Sequence, residues 1–156
     1  MNANALFNAI RSEELPVVKQ LLSSYPELIN EKDQRGSTPL LLATYYGLED
    51  ITSYLLTLQP DLDAQDASGN TALMGVSFKG HKAIVKMLLT AGASVNKKNY
   101  NDATALIYAA TFGQKEIIEL LLANGADPEL KDNQGFTAAM HARNQGLDFS
   151  KLLTTS

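Results

Sequence analysis

Acid-base chemistry near neutral pH would fall to His81 and His141, the two histidines of this 156-residue sequence, and neither sits in a catalytic pattern. No nucleophile with a partner base and no carboxylate pair accompanies either ring. With no cysteine and no clustered Asp or Glu at ligand spacing, thiolate chemistry, disulfides and a metal site all lack their residues. The glycines do not follow a strand-loop-helix spacing, so they do not form a phosphate cradle. An enzyme, a cofactor and a metal are therefore not expected. The side chains left for chemistry are those of contact. Tyr45, Tyr46, Phe78 and Phe112 each fall just before a glycine, and Tyr100 and Phe136 stand among short polar residues. Arg35 lies in a similar polar stretch.

Composition narrows the class. Thirteen Lys and Arg against 17 Asp and Glu give a net charge of −4, which disfavours a non-specific grip on nucleic acid or on an anionic membrane. Hydrophobic residues make up 45% of the chain, enough for a real core. The segment from Met1 to Ile10 lacks the basic cluster and long apolar run of a signal peptide, and no apolar stretch is long enough to span a bilayer. The expected product is a soluble, cytoplasmic monomer without disulfides, held together by packing.

A period of 33 residues organises the chain. Thr38 recurs as Thr71, Thr104 and Thr137, and Gly47 as Gly80, Gly113 and Gly146. Ala43 returns as Val76, Ala109 and Ala142, and the Leu55-Leu56 pair as Leu88-Leu89 and Leu121-Leu122. Within each unit Asp33, Asp66, Asn99 or Asp132 opens a turn whose short polar side chain bonds the backbone ahead. Gly36, Gly69 and Gly135 supply positive φ three residues later; Asp102 stands at that place in the fourth unit and is less suited to it. Threonine then caps a short helix, with Pro39 well placed at its first position.

The capped helix buries a face such as Leu40, Ala43 and Thr44 and stops at glycine. A second helix follows with a broader apolar face, Ile51, Leu55 and Leu56, matched by Ile84, Leu88 and Leu89 and by Ile117, Leu121 and Leu122. It ends at Gly92-Ala93 or Gly125-Ala126. Ala9, Val17, Leu21 and Leu22 repeat this spacing with one extra residue near Tyr25-Pro26-Glu27-Leu28, and Asn8, Arg11, Glu13, Glu14, Lys19 and Gln20 give the first unit a polar outer face. After Gly146 the register decays into a C-terminal cap with Phe149, Leu152 and Leu153. The predicted units are 1–32, 33–65, 66–98, 99–131 and 132–156, in a single all-α domain of stacked helix-turn-helix units.

Asp33-Gln34-Arg35-Gly36-Ser37-Thr38-Pro39-Leu40, followed by Ala43, Gly47 and Leu55-Leu56, resembles an ankyrin repeat, and the likeness runs along nearly the whole chain. It implies a solenoid with short hairpin-like loops. A concave surface of inner helices and turn tips would bind another protein, either as an interaction module or as an inhibitor that occludes an enzyme's active site. The family's usual histidine two places after Thr-Pro is replaced by Leu41, Met74, Ile107 and Met140, so apolar packing must stand in for its bonds. Gln59-Pro60 replaces the glycine and alanine that end a second helix, which predicts a local irregularity there. His81 occupies a position where the family often carries a structural histidine, and His141 lies in the degenerate last repeat.

The resemblance makes Arg35, Tyr45, Tyr46, Phe78, Tyr100, Phe112 and Phe136 the candidate partner-binding residues. The opposing possibility is that these rings pack between repeats. Gln34, Ser37, Ser68, Asn70, Asn101, Asn133 and Gln134 would form a polar rim. Lys32, Lys98 and Lys131, with Lys97 beside them, would face an acidic partner or simply solvent. Leu42, Gly75, Tyr108 and His141 form one further column, in which the ring of Tyr108 is expected over the space at Gly75, the alternative being a small pocket.

Overall fold

A computed structural model describes residues 2–153 of the chain; Met1 and residues 154–156, at the outer limits of the first and last predicted units, lie outside the described residues. So does the Leu153 side chain assigned to the C-terminal cap. The described residues form α1 (Asn2–Arg11), α2 (Leu15–Ser24), α3 (Pro39–Tyr45), α4 (Glu49–Thr57), α5 (Ala72–Lys79), α6 (Lys82–Ala91), α7 (Ala105–Thr111), α8 (Lys115–Ala123), α9 (Ala138–Asn144) and α10 (Phe149–Leu153). The extra residue of the first unit is absorbed in a 3-10 turn, Pro26–Asn30, after α2. Among the described residues there is no strand, only one isolated bridge between Lys131 and Thr137.

Each helix begins and ends where its local chemistry dictates. The hydroxyl oxygens of Thr38, Thr71, Thr104 and Thr137 accept the backbone N–H of Leu41, Met74, Ile107 and Met140 at 3.2–3.4 Å, satisfying a donor that the helix itself leaves unpaired. Gly47, Gly80, Gly113 and Gly146 follow at φ +66 to +85°, turning the chain into the second helix of the pair. Odd-numbered helices stack on one another as an inner layer, α1 to α9, and even-numbered helices as an outer layer, α2 to α10.

The core is a continuous strip between these layers. Leu40, Leu73 and Leu106 of the inner helices and Leu55, Leu88 and Leu121 of the outer ones are at most 1% exposed. Each such burial contributes roughly 2 kcal/mol, yet it exists only because the neighbouring unit covers it. The first unit shows this by contrast. Val17, aligned with the buried Ile51, Ile84 and Ile117, is exposed, whereas its neighbour Val18 is fully buried.

Among the described residues, three that are not glycine take positive φ, and each stands in a glycine column. Glu13 (58°) aligns with Gly47, Gln59 (54°) with Gly92 and Gly125, and Asp102 (61°) with Gly36, Gly69 and Gly135. The irregularity expected near Pro60 is therefore a left-handed Gln59, while Pro60 itself is buried. Stacking geometry imposes the turn even where the side chain opposes it.

Polar ladders tie successive units. Lys32 Nζ donates to the Gln65 carbonyl (2.8 Å), Gln65 Nε2 to the Lys98 carbonyl (3.0 Å) and Lys98 Nζ to the Lys131 carbonyl (3.3 Å). Lys32 and Lys98, two of the lysines expected to face an acidic partner or solvent, thus also join successive repeats. Asn30, Asp63 and Asn96 form a second ladder, accepting the amides of Asp61, Ser94 and Asp127. At the tips a backbone ladder runs from the Ala67, Tyr100 and Asn133 amides to the Arg35, Ser68 and Asn101 carbonyls. In the column that lacks the family's histidine, Leu41, Met74 and Ile107 are buried and packed, whereas Met140 of the last unit is 44% exposed.

Candidate functional site

The four turn tips share one construction. One side-chain oxygen of Asp33 accepts the amides of Arg35 and Ser37; Asp66 does the same for Ser68 and Asn70, Asn99 for Asn101 and Ala103, and Asp132 for Gln134 and Phe136, all at 2.9–3.0 Å. The second polar atom of each tip residue remains for a neighbour. Asp33 Oδ2 meets Arg11 Nη2 at 3.4 Å, Asn99 Nδ2 donates to Asn70 Oδ1 (2.8 Å) and to the Tyr108 hydroxyl (3.0 Å), and Asp132 Oδ2 lies 2.9 Å from His141 Nε2. Tyr108 and His141 reach their own tips from the same place on the inner helix. In the unit of Asp66 that place is Gly75, so no side chain comes from it, and Asp66 forms no ion pair among the described residues.

Burial works against the ionised form of Asp132, but the hydrogen bond from His141 and those from the Phe136 and Gln134 amides outweigh it and hold the carboxyl below its ordinary value. The pair belongs to the turn's architecture. His81 is likewise structural: its Nε2 lies 3.2 Å from the Tyr45 carbonyl at the end of α3, a bond that Gln114 Nε2 repeats to the Phe78 carbonyl at 3.3 Å.

A groove of about 430 Å³ opens over α3, α5 and the first tips, lined by Arg35, Tyr45, Tyr46, Asp66, Gly75 and Phe78 among others. The ring expected over Gly75 is not that of Tyr108. A Cβ at Gly75 would find only Tyr45 Cδ1 within 4 Å, at 3.5 Å, while the Tyr108 hydroxyl is held by Asn99 and Asn70. The missing side chain thus leaves the small pocket that was the alternative, part of the wider groove. Tyr108 stands at its wall.

The aromatic residues pack against each other and remain partly open. Phe78 makes edge contacts with Phe112 (4.6 Å between centroids) and Tyr108 (6.3 Å), Tyr45 with Tyr46 (5.7 Å), and Lys79 Nζ sits 5.1 Å from the centre of the Tyr45 ring. Tyr45, Tyr46 and Phe112 are still 41, 52 and 47% exposed. The structure therefore gathers Arg35, Tyr45, Tyr46 and Phe78 along one groove, with Phe112 joined to it through Phe78. It does not bring Tyr100 or Phe136 into that lining. Tyr100, 69% exposed as a residue, lies against Gly69 of the preceding tip, and Phe136 packs on His141 at 5.6 Å.

Sequence reasoning passed over Arg11, Asp33, Asp66 and Tyr108 as groove residues. Arg11 was read only as a solubilising charge on the first unit. The nine-residue interval between the tip column and the column of Leu42, Gly75, Tyr108 and His141 was the available signal. Among the described residues no group of His, Asp and Glu could hold a metal ion, and no helix is long and apolar enough to cross a membrane.

Residues 6–99 and 77–156 match the family model of ankyrin repeats in three copies. The chain belongs to the ankyrin repeat family, whose repeats are protein-interaction modules. Over 60 residues it is 43% identical to protein phosphatase 1 regulatory subunit 27 of Homo sapiens and, equally, to that of Mus musculus. The matched stretch spans 38% of this chain and 38% of each relative, well short of their full length.

Proposed function

We propose that the chain binds a partner protein through the groove of inner helices and turn tips, and that it has no catalytic activity of its own. The observation that carries this reading is the row of half-exposed rings, Tyr45, Tyr46 and Phe112, flanking an open apolar groove with Arg35 on its lining. Rings held by edge contacts lose little freedom on binding and offer large apolar area, which is the character of interface anchors. The polar ladders keep the groove's shape fixed in advance. The test compares partner capture by the wild-type chain and by Tyr45→Ala/Phe78→Ala/Phe112→Ala, with circular dichroism showing that both are folded. Loss of a partner from the variant alone supports the groove; equal recovery overturns it.

A second reading, that binding regulates an enzyme by occluding it, is favoured by the local similarity to a phosphatase regulatory subunit. It predicts that the captured enzyme loses activity as the chain approaches one equivalent. Unchanged activity at saturation would leave an adaptor.

A further inference from the structure

The pocket at Gly75 combines three features in one place. Asp66 contributes a carboxylate with one oxygen bound to its own turn and no charged partner among the described residues. Tyr45, Phe78 and Tyr108 contribute ring surfaces. Gly75 contributes the room, since a Cβ there would have only the Tyr45 edge within 4 Å. The rest of the chain shows what this position lacks. Asp33 has the Arg11 guanidinium, and Asp132 has the His141 imidazole, which comes from the position equivalent to Gly75. A carboxylate among aromatic walls best accepts a planar cation that can stack and donate hydrogen bonds together, which a guanidinium does and an ammonium does less well.

The geometry points to an arginine side chain of the partner as the occupant of this pocket, stacked between the rings with its N–H groups on Asp66. This deepens the groove reading and rests on it for the partner, while the pocket's chemistry is measurable by itself. Arg35 lines the same groove with no ion pair among the described residues, so an acidic neighbour of the incoming arginine would find a counter-charge there.

The experiment titrates the ¹⁵N-labelled chain with N-acetyl-arginine methylamide, and in parallel with the lysine and tyrosine analogues, following the amides of Ser68, Asn70 and Gly75. Saturable shifts with the arginine probe are expected, with weaker binding of the other two. Asp66→Asn should weaken the arginine probe by about tenfold, the loss of one charge-assisted contact. Its turn should survive, because Asn99 already holds the same turn with an amide oxygen. Gly75→Tyr, which copies the Tyr108 position, should abolish the shifts in a chain that still folds. Equal binding of the lysine or tyrosine analogue, an unchanged Asp66→Asn titration, or the absence of saturable shifts at these amides would each overturn the assignment. If these results hold but the triple alanine chain still captures its partner, the pocket's selectivity for a guanidinium stands, while the groove reading fails and with it the assignment of that guanidinium to the partner. If the triple variant loses the partner but Asp66→Asn binds the probe like the wild type, the groove reading stands and this assignment fails.

Discussion

His141 Nε2 lies 2.9 Å from Asp132 Oδ2, across the same nine-residue interval that sets Asn99 Nδ2 3.0 Å from the Tyr108 hydroxyl. The inner helix of a repeat thereby steadies the turn from which it started.

Replacing His141 with leucine, as at Leu42, should raise the Asp132 carboxyl toward its ordinary value of 3.8, because burial then opposes ionisation with only the backbone bonds against it. A lowered carboxyl stabilises the folded chain above pH 3.8, and that contribution is lost as the pH falls through the lowered value. The variant should therefore begin acid unfolding at a higher pH than the wild type. Carboxyl ¹³C titration of Asp132 measures the shift directly, and an unmoved titration would refute the coupling.

Thr52 is fully buried and its hydroxyl has no hydrogen-bond partner among the described residues, in the column that elsewhere holds Val18, Val85 and Ile118. Thr52→Val keeps the shape and removes the unpaired group, so it should stabilise the chain by about 1 kcal/mol in urea unfolding. A destabilised variant would mean that the hydroxyl has a bond.

Asp102 and Gln59 adopt left-handed backbone in columns where other units carry glycine. Asp102→Gly should add roughly 0.5–1 kcal/mol, the difference between the left-handed penalty of a side chain and the entropy of glycine. A raised Tm would agree; a lowered one would show that the carboxylate has a separate role at the tip.

Gly47 meets two demands together. Its φ is +72°, and a Cβ there would stand 2.7 Å from His81 Cε1, the ring that bonds the Tyr45 carbonyl. Gly47→Ala should cost about 2 kcal/mol or more, and less in a His81→Ala background where the clash is gone and only the backbone strain remains. Additive losses in the double-mutant cycle would show that the ring does not press on Gly47.

The repeat period, the threonine caps, the glycine stops and the two-layer helical pairing were legible in the residues, because each rests on local chemistry that recurs every 33 positions. The aromatic columns were legible as a set, and four of the seven named residues do line one groove. Contacts between units decided the rest. Lys32 and Lys98 came to bond carbonyls of the next unit, Val17 was left uncovered, Glu13, Gln59 and Asp102 were forced into glycine's conformation, and Tyr45 came to Gly75 in place of Tyr108. A single unit's sequence dictates its own turn and helices, but which side chain crosses to the next unit depends on the stacking distance and rotation, and those arise only when the apolar faces close on each other.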